Sequence, residues 1–203
     1  MTKLLSVALQ SPEPDAATSF YADFLGPDAP ITVRPGDAAT SGFRGFTLSL
    51  VVAQPGIVDL FLEAALGAGA TAVKPATKSF WGYGGVVQAP DGAIWKMATS
   101  SKKDKGSVTR TVDEYALLLG CSDVKATKQF YVDQGLRVDK SYGSKYVQFE
   151  GGGGPVTLGL YGRKALAKDA GVPVDGNGSH RLAVVTDGGS FTDPDGFVWE
   201  PAG

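Results

Sequence analysis

The apolar positions of the chain fall into short runs of strand length and longer segments with a helical period. Leu4–Leu9 is a continuous apolar run that predicts a strand, and the prolines that follow end it. Ala16–Leu25 predicts a helix, because Phe20 and Phe24 are four residues apart and lie on one face. Four further elements complete this part of the chain: strands over Ile31–Val33, Phe46–Val52 and Thr71–Lys74, and a helix over Ile57–Leu66.

The segment Phe80–Ala98 predicts a β-hairpin that begins with an aromatic, glycine-rich loop. At its turn, Pro90 fixes φ, the side chain of Asp91 can accept a hydrogen bond from the backbone, and Gly92 tolerates a positive φ. The residues on both sides are β-branched or bulky, which suits paired strands.

This hairpin recurs near the end of the chain as Ser190–Glu200. Pro194-Asp195-Gly196 repeats the turn, and Trp199 takes the place of Trp95. The pair Phe130-Tyr131 likewise repeats Phe20-Tyr21 of the first helix. The chain is therefore predicted to be a duplication with local insertions and deletions.

The second half repeats the order of the first, but it has no room for a helix before its hairpin. The turn Gly151–Gly154 joins two predicted strands and is not followed by Lys-Ser or Lys-Thr, so a phosphate-binding loop is not expected. The predicted elements are strands over Tyr115–Leu119, Arg137–Tyr142, Tyr146–Glu150, Val156–Tyr161 and Arg181–Thr186, a helix from Ser122 or Asp123 to Gln134, and a short helix over Gly162–Ala170.

Composition narrows the class of protein. Hydrophobic residues make up 43% and charged residues 20% of the 203 positions, which is typical of a globular chain that can bury a core. The 28 glycines are about twice the usual share and favour a strand-rich architecture. One compact unit and two small lobes both remain open at this length.

Charge and cysteine content limit the partners and the compartment. A net charge of −2 argues against nucleic acid or an anionic membrane as the main partner, and the Lys102–Lys105 run is interpreted as a solvated linker. The single Cys121 cannot form an internal disulfide and is expected to behave as a small, partly buried hydrophobe. With no apolar leader or spanning segment, a cytoplasmic, reducing location is expected.

These elements, in this order, resemble the vicinal oxygen chelate superfamily of glyoxalases, bleomycin resistance proteins and extradiol dioxygenases. The resemblance implies an α+β fold in which duplicated βαβββ units form curved mixed sheets around a cup, with helices outside. An unrelated duplicated α+β domain is the alternative. The implied units span 4–45, 46–99, 113–161 and 179–201, in two halves, 1–99 and 113–203, joined by a polar linker at 99–112. Which units pair is left open.

The resembled fold holds a divalent metal at the floor of the cup, and this sequence departs from its ligand pattern. Only Glu200, and His180 if it is in register, are of a ligand type, and two protein ligands are too few for a stable site. Neither a metal nor another cofactor is therefore expected. The other implied positions carry Ser6, Ala116, Phe46 and Lys96.

The alternation of side chains along strands separates cup residues from core residues. Lys96 and Glu200 are expected to face the cup, whereas Trp95 and Trp199 point the opposite way into the core. The residues among the glycines of the first hairpin, Trp81 and Tyr83, either form a binding wall or pack structurally.

Two classes of function remain. The first is a metal-independent protein that sequesters a small, flat or amphipathic molecule, such as a drug or metabolite, in an aromatic-lined groove. The second is a glyoxalase-like or dioxygenase-like enzyme, a lyase, isomerase or oxidoreductase, with either a metal site or a metal-free base such as Glu200 or His180. A role as an interaction scaffold and assembly as a homodimer also remain possible alternatives.

The residues expected to bind the ligand are Trp81, Tyr83, Lys96 and Glu200.

Overall fold

The computed structural model describes residues 2–203, and each helix and strand expected from the sequence is present. Two short strands, β3 and β12, are additional to those expected. In chain order the elements are β1 (Leu4–Ser11), α1 (Pro14–Leu25), β2 (Ile31–Pro35), β3 (Thr40–Gly42), β4 (Phe46–Val51), α2 (Pro55–Gly67), β5 (Thr71–Ser79), β6 (Gly82–Gln88), β7 (Ile94–Thr99), β8 (Glu114–Cys121), α3 (Val124–Asp133), β9 (Val138–Ser141), β10 (Tyr146–Phe149), β11 (Val156–Gly162), α4 (Arg163–Ala170), β12 (Gly176–Gly178), β13 (Leu182–Thr186), β14 (Phe191–Thr192) and β15 (Val198–Pro201).

The larger sheet has eight strands in the order β5-β6-β7-β4-β8-β11-β10-β9. Within each contributing unit the first strand pairs in parallel with the last, as β4 does with β7 and β8 with β11. The two units join where β4 and β8 pair antiparallel. The units spanning 46–99 and 113–161 therefore build this sheet together.

The smaller sheet repeats this plan with fewer strands, in the order β14-β15-β13-β1-β2. Its centre is the antiparallel pair β1 and β13, and each of these pairs in parallel with a later strand of its own unit, β1 with β2 and β13 with β15. The second unit thus pairs with the third, and the first with the fourth. The α+β fold of curved mixed sheets with helices is as predicted, whereas the division into halves at 99–112 stays a prediction.

One continuous hydrophobic core joins both sheets to α1, α2 and α3. Trp95 and Trp199 lie fully buried within it, as the alternation of the hairpin strands predicts. Truncation of a buried tryptophan typically costs about 3–5 kcal/mol of the free energy of unfolding. These two side chains are therefore structural.

The helices begin at signals that the sequence carries. Proline occupies the first turn of α1 and α2, where its missing N–H group is not needed. The carboxylate of Asp123 accepts hydrogen bonds from the backbone N–H groups of Lys125 and Ala126 at 2.9 and 3.2 Å, and so caps α3. Across residues 2–203, no helix combines the length and the apolar character needed to cross a membrane.

Candidate functional site

The concave face of the eight-stranded sheet carries the positions at which the resembled fold would hold its metal. The strand register places Ser49 of β4 between Lys96 of β7 and Ala116 of β8. The prediction that Phe46 stands at the ligand position of β4 is wrong. Phe46 is three residues away along the strand and is buried in the main core, on the face opposite Ser49.

These residues do not fit a divalent metal ion. Ala116 offers no donor atom, and the ammonium group of Lys96 repels a cation. The hydroxyl of Ser49 is buried without a hydrogen-bond partner and supplies at most one weak ligand. Between residues 2 and 203, no three His, Cys, Asp or Glu side chains come together in a group that could hold a metal. A structural or catalytic metal site needs at least three such ligands.

Helix α4 occupies the middle of this concave face, whereas α1, α2 and α3 pack into the main core. Leu166 and Ala167 are buried against Phe43 and contact the side chains of β8 and β11. Ala170 is buried against β6 and β7. Gly120 of β8 permits this close packing, because a Cβ atom there would lie 3.1 Å from the Cα atom of Arg163. The floor of the cup is therefore covered by the protein's own helix.

Two lysines hold the C-terminal end of α4. The Nζ atom of Lys96 donates to Asp169 Oδ2 at 2.7 Å, and Lys74 Nζ donates to the main-chain oxygens of Lys168 and Asp169 at 3.2 and 2.5 Å. A cation at this end also complements the helix dipole. Because the Lys96 and Asp169 side chains are 32% and 42% exposed, their ion pair contributes at most about 1 kcal/mol to stability.

Beyond this end of α4 the concave face opens into a pocket of about 340 Å³, which we call the aromatic cleft. Its floor includes Lys96 and Ala98 of β7, and its rim includes Trp81. Its lining mixes apolar side chains with polar and charged ones, which can contact both the apolar body and the polar end of a small molecule. The residues that carry the argument below are Lys74, Trp81, Lys96 and Asp169.

The tip of the β5–β6 hairpin presents two aromatic rings to solvent. Phe80 is 80% and Trp81 is 83% exposed, and their ring centroids are 5.1 Å apart in an edge-to-face arrangement. Only Trp81 lines the cleft. Large exposed rings are uncommon away from interaction sites, which makes Trp81 a candidate contact for a ligand.

Tyr83 borders the cleft, but its ring lies on the other face of the sheet. Along β6 it shares a face with Val87, packs against the main core and donates a hydrogen bond to Asp59 Oδ1 of α2 at 2.7 Å. This hydrogen bond, with some burial, raises the pKa of Tyr83. Strand alternation turns the ring away from Lys96, which favours structural packing, the alternative to a binding wall that the sequence left open.

Glu200 and His180 lie together, but in a different place. Both line a pocket of about 350 Å³ on the five-stranded sheet, with Gln10 and Val198 nearby. The prediction that Glu200 shares a groove with Lys96 is wrong, because the fourth unit pairs with the first and not with the second. The sequence gives no sign of this pairing.

Both of these groups already have partners. Glu200 forms an ion pair with Arg34. His180 stacks on Phe197 at 3.9 Å, with its Nδ1 2.5 Å from the main-chain oxygen of Arg44 and its Nε2 3.0 Å from that of Asp195. With both ring nitrogens facing carbonyl oxygens, His180 has no free nitrogen for a substrate proton or a metal. The arrangement holds two segments together and does not resemble a catalytic pair.

Arg44 is a residue of interest that sequence reasoning missed. It is 7% exposed, and none of its three side-chain nitrogens has a hydrogen-bond partner. Burial lowers the pKa of its guanidinium, although the charge of Asp91 opposes this. The sequence did carry one sign of it, because Arg44 is a single charged residue between Phe43 and Phe46 in an otherwise apolar segment.

Comparison with solved structures decides the fold. Glyoxalase I from Zea mays superimposes with a TM-score of 0.62 over 98% of this chain and 91% of its own, at 12% sequence identity. A proposed dioxygenase from Bacillus subtilis gives a TM-score of 0.61 over 98% of this chain and 84% of its own, also at 12% identity. The chain has the vicinal oxygen chelate fold.

The resemblance drawn from the sequence motifs is thus confirmed at the level of the fold. No protein-family model matches the chain, and no curated protein matches its sequence. At 12% identity the shared vicinal oxygen chelate fold does not transfer an activity. The function has to be argued from the residues of the site.

Proposed function

We propose that this protein binds a small, flat or amphipathic molecule in the aromatic cleft and does so without a metal ion. The observation that carries the proposal is the combination of an exposed tryptophan, Trp81, at the rim with the charged group of Lys96 at the floor of one pocket. An indole ring offers a stacking surface, and a nearby cation orients an anionic or polar end.

Binding is favoured over catalysis by the state of the titratable groups. Glu200 is paired with Arg34, and both nitrogens of His180 face carbonyl oxygens. A general base or nucleophile must be able to reach a substrate proton or carbon atom. These contacts disfavour Glu200 and His180, the two base candidates of the sequence, in that role.

The position of α4 also favours a binding role. In a fold whose cup would otherwise hold metal and substrate, α4 buries Leu166 and Ala170 on the floor. The aromatic cleft is the part of this face that α4 leaves open next to Lys96. A ligand there rests on the end of α4 and on β7, under the hairpin tip that carries Trp81.

Isothermal titration calorimetry of wild type, Trp81→Ala and Phe80→Ala with a panel of flat bicyclic aromatics, charged and uncharged, tests the proposal. Stacking on one ring contributes about 0.5–1.5 kcal/mol beyond the area buried, so Trp81→Ala is expected to weaken binding by roughly tenfold. Phe80→Ala is the matched control, because Phe80 is equally exposed but does not line the cleft. Equal losses in both variants, or no binding of any panel compound to wild type, would contradict the proposal.

A further inference from the structure

A second pocket lies on the other side of the α4 C-terminus, at the end of the eight-stranded sheet. It has a volume of about 260 Å³, and we call it the Arg44 pocket. The packing of Ala170 and Val172 against Val86 and Ile94 separates it from the aromatic cleft. Its walls are formed mainly by Phe43, Arg44, Ile94, Val172 and Pro173.

Among residues 2–203, Arg44 supplies the one cation that lines this pocket, and its guanidinium has no hydrogen-bond acceptor. Its Cζ atom lies 5.2 Å from the centroid of the Phe46 ring, and its three nitrogens are buried without partners. Burying a charged group without hydrogen bonds is costly, because the group loses its hydration and gains nothing in return. Proteins seldom keep such a group unless something else completes its hydrogen bonds.

The charge of Asp91, which acts on Arg44, does not complete them. Asp91 affects Arg44 electrostatically, yet the two form no ion pair. Its oxygens accept other hydrogen bonds, because Tyr21 Oη donates to Oδ2 at 2.9 Å and the backbone N–H of Ala93 donates to Oδ1 at 2.9 Å. Among residues 2–203 no acceptor lies within hydrogen-bond distance of the guanidinium, so a ligand from outside the chain can supply one.

We propose that the Arg44 pocket binds a small monocarboxylate, whose two oxygens accept hydrogen bonds from the guanidinium of Arg44. A planar carboxylate matches the fork of an arginine side chain and can accept two parallel hydrogen bonds. The guanidinium nitrogens of Arg44 are buried by the protein in this structure. Binding therefore requires the guanidinium to turn from the ring of Phe46 into the pocket by a change of side-chain torsions.

The walls of the pocket define the rest of the ligand. Phe43, Ile94, Val172 and Pro173 present apolar surface, which suits a short aromatic or aliphatic tail. Asp175 is exposed at the rim and disfavours a second negative charge on the ligand. The preferred class is a monocarboxylate with one small apolar body, in preference to phosphate or a dicarboxylate.

The test is calorimetric titration of the full chain with benzoate, with benzamide and with inorganic phosphate. Benzamide has nearly the shape of benzoate but no charge, so it reports the contribution of the carboxylate. Benzoate is expected to bind saturably, and benzamide and phosphate at least about tenfold more weakly, because hydrogen bonds to charged groups are the strong ones. Equal binding of benzoate and benzamide, or no binding of benzoate, would overturn the proposal.

Variants assign the site. Arg44→Met is expected to weaken benzoate binding by about tenfold or more, whereas Arg137→Met, which removes an exposed arginine elsewhere, leaves it unchanged. Trp81→Ala also leaves it unchanged, which separates this site from the aromatic cleft. If Arg44→Met does not fold, Arg44→Lys takes its place in the test. The lysine variant is expected to lose most of the affinity for benzoate, because an ammonium group lacks the planar fork of a guanidinium. Benzoate binding that survives in Arg44→Met or Arg44→Lys contradicts the assignment.

Discussion

The indole Nε1 of Trp199 donates a hydrogen bond to the hydroxyl of Tyr131 at 3.2 Å. That hydroxyl donates in turn to Asp193 Oδ2 at 2.6 Å, in the turn of the second hairpin. The first half contains the same chain of groups in Trp95, Tyr21 and Asp91, at 3.5 and 2.9 Å. The acid differs in its place: Asp91 follows the turn proline and Asp193 precedes it. The two hairpins therefore share this chain of groups, as the predicted duplication would require, although the aspartate that completes it occupies a different turn position.

The two tyrosines are predicted to differ in their contribution to stability. Tyr131→Phe leaves Trp199 Nε1 and Asp193 Oδ2, both in buried side chains, without this partner, and it is expected to lower the free energy of unfolding by about 1–3 kcal/mol. Tyr21→Phe is expected to cost less, about 0.5–1.5 kcal/mol, because Asp91 is half-buried and water can replace the lost donor. Urea denaturation of both variants measures the difference. A larger loss for Tyr21→Phe would contradict the argument from the different burial of Asp193 and Asp91.

Alkaline pH is predicted to destabilise the protein through the same tyrosines. Burial, followed by the charge of Asp193, raises the pKa of Tyr131 well above its usual value, and burial does the same for Tyr21. A tyrosine with a raised folded-state pKa contributes stability that is complete below the unfolded-state pKa of about 10 and is lost as pH rises through the folded-state value. Unfolding free energies should therefore fall above pH 10, and less steeply in Tyr131→Phe. The unfolding free energy is measured against pH for wild type and Tyr131→Phe, and tyrosinate absorbance follows the ionisation. The same dependence on pH in both proteins would show that Tyr131 does not cause the effect.

Helix α4 is predicted to be an integral part of the cup. Leu166→Ala removes a side chain that is completely buried on the concave face, and it is expected to cost about 2–5 kcal/mol of unfolding free energy. Lys164→Ala lies on the exposed side of the same helix and is expected to change stability little. Thermal melts of the two variants make the comparison. Similar melting temperatures for both would mean that α4 does not depend on this packing.

Cys121 is predicted to be unreactive in the folded protein. The thiol is buried, and burial, with the charge of Asp195, raises its pKa to about 12. At neutral pH almost no thiolate forms, and the thiolate is the nucleophile. Ellman's reagent should therefore label Cys121 only after unfolding. Rapid labelling of the native protein at pH 7 would contradict this.

The sequence predicted the elements and the fold because these depend on local signals that repeat. Turn residues such as Pro194-Asp195-Gly196, the helical period of Phe20 and Phe24, and the bulky strand residues are each readable within a few positions. The burial of Trp95 and Trp199 followed from strand alternation together with the resemblance, which implied the face that looks into the cup.

The site was less predictable because it depends on how distant strands pair. Placing Phe46 and not Ser49 at the ligand position is an error of register, which turns a residue to the wrong face. Assigning Glu200 to the same groove as Lys96 required a pairing of units that no local pattern encodes. The unpartnered guanidinium of Arg44 is visible only once the chain is folded around it.

The central claim is that the aromatic cleft binds its ligand without a metal ion. The most direct measurement is the dissociation constant of the tightest-binding bicyclic panel compound for chelator-treated protein, determined by calorimetry and repeated with one equivalent of Zn²⁺, Ni²⁺, Fe²⁺ or Mn²⁺. Because Ser49, Lys96 and Ala116 cannot form a ligand set, we predict the same dissociation constant in every case. Binding that is absent after chelation and restored by one equivalent of a metal would contradict the account.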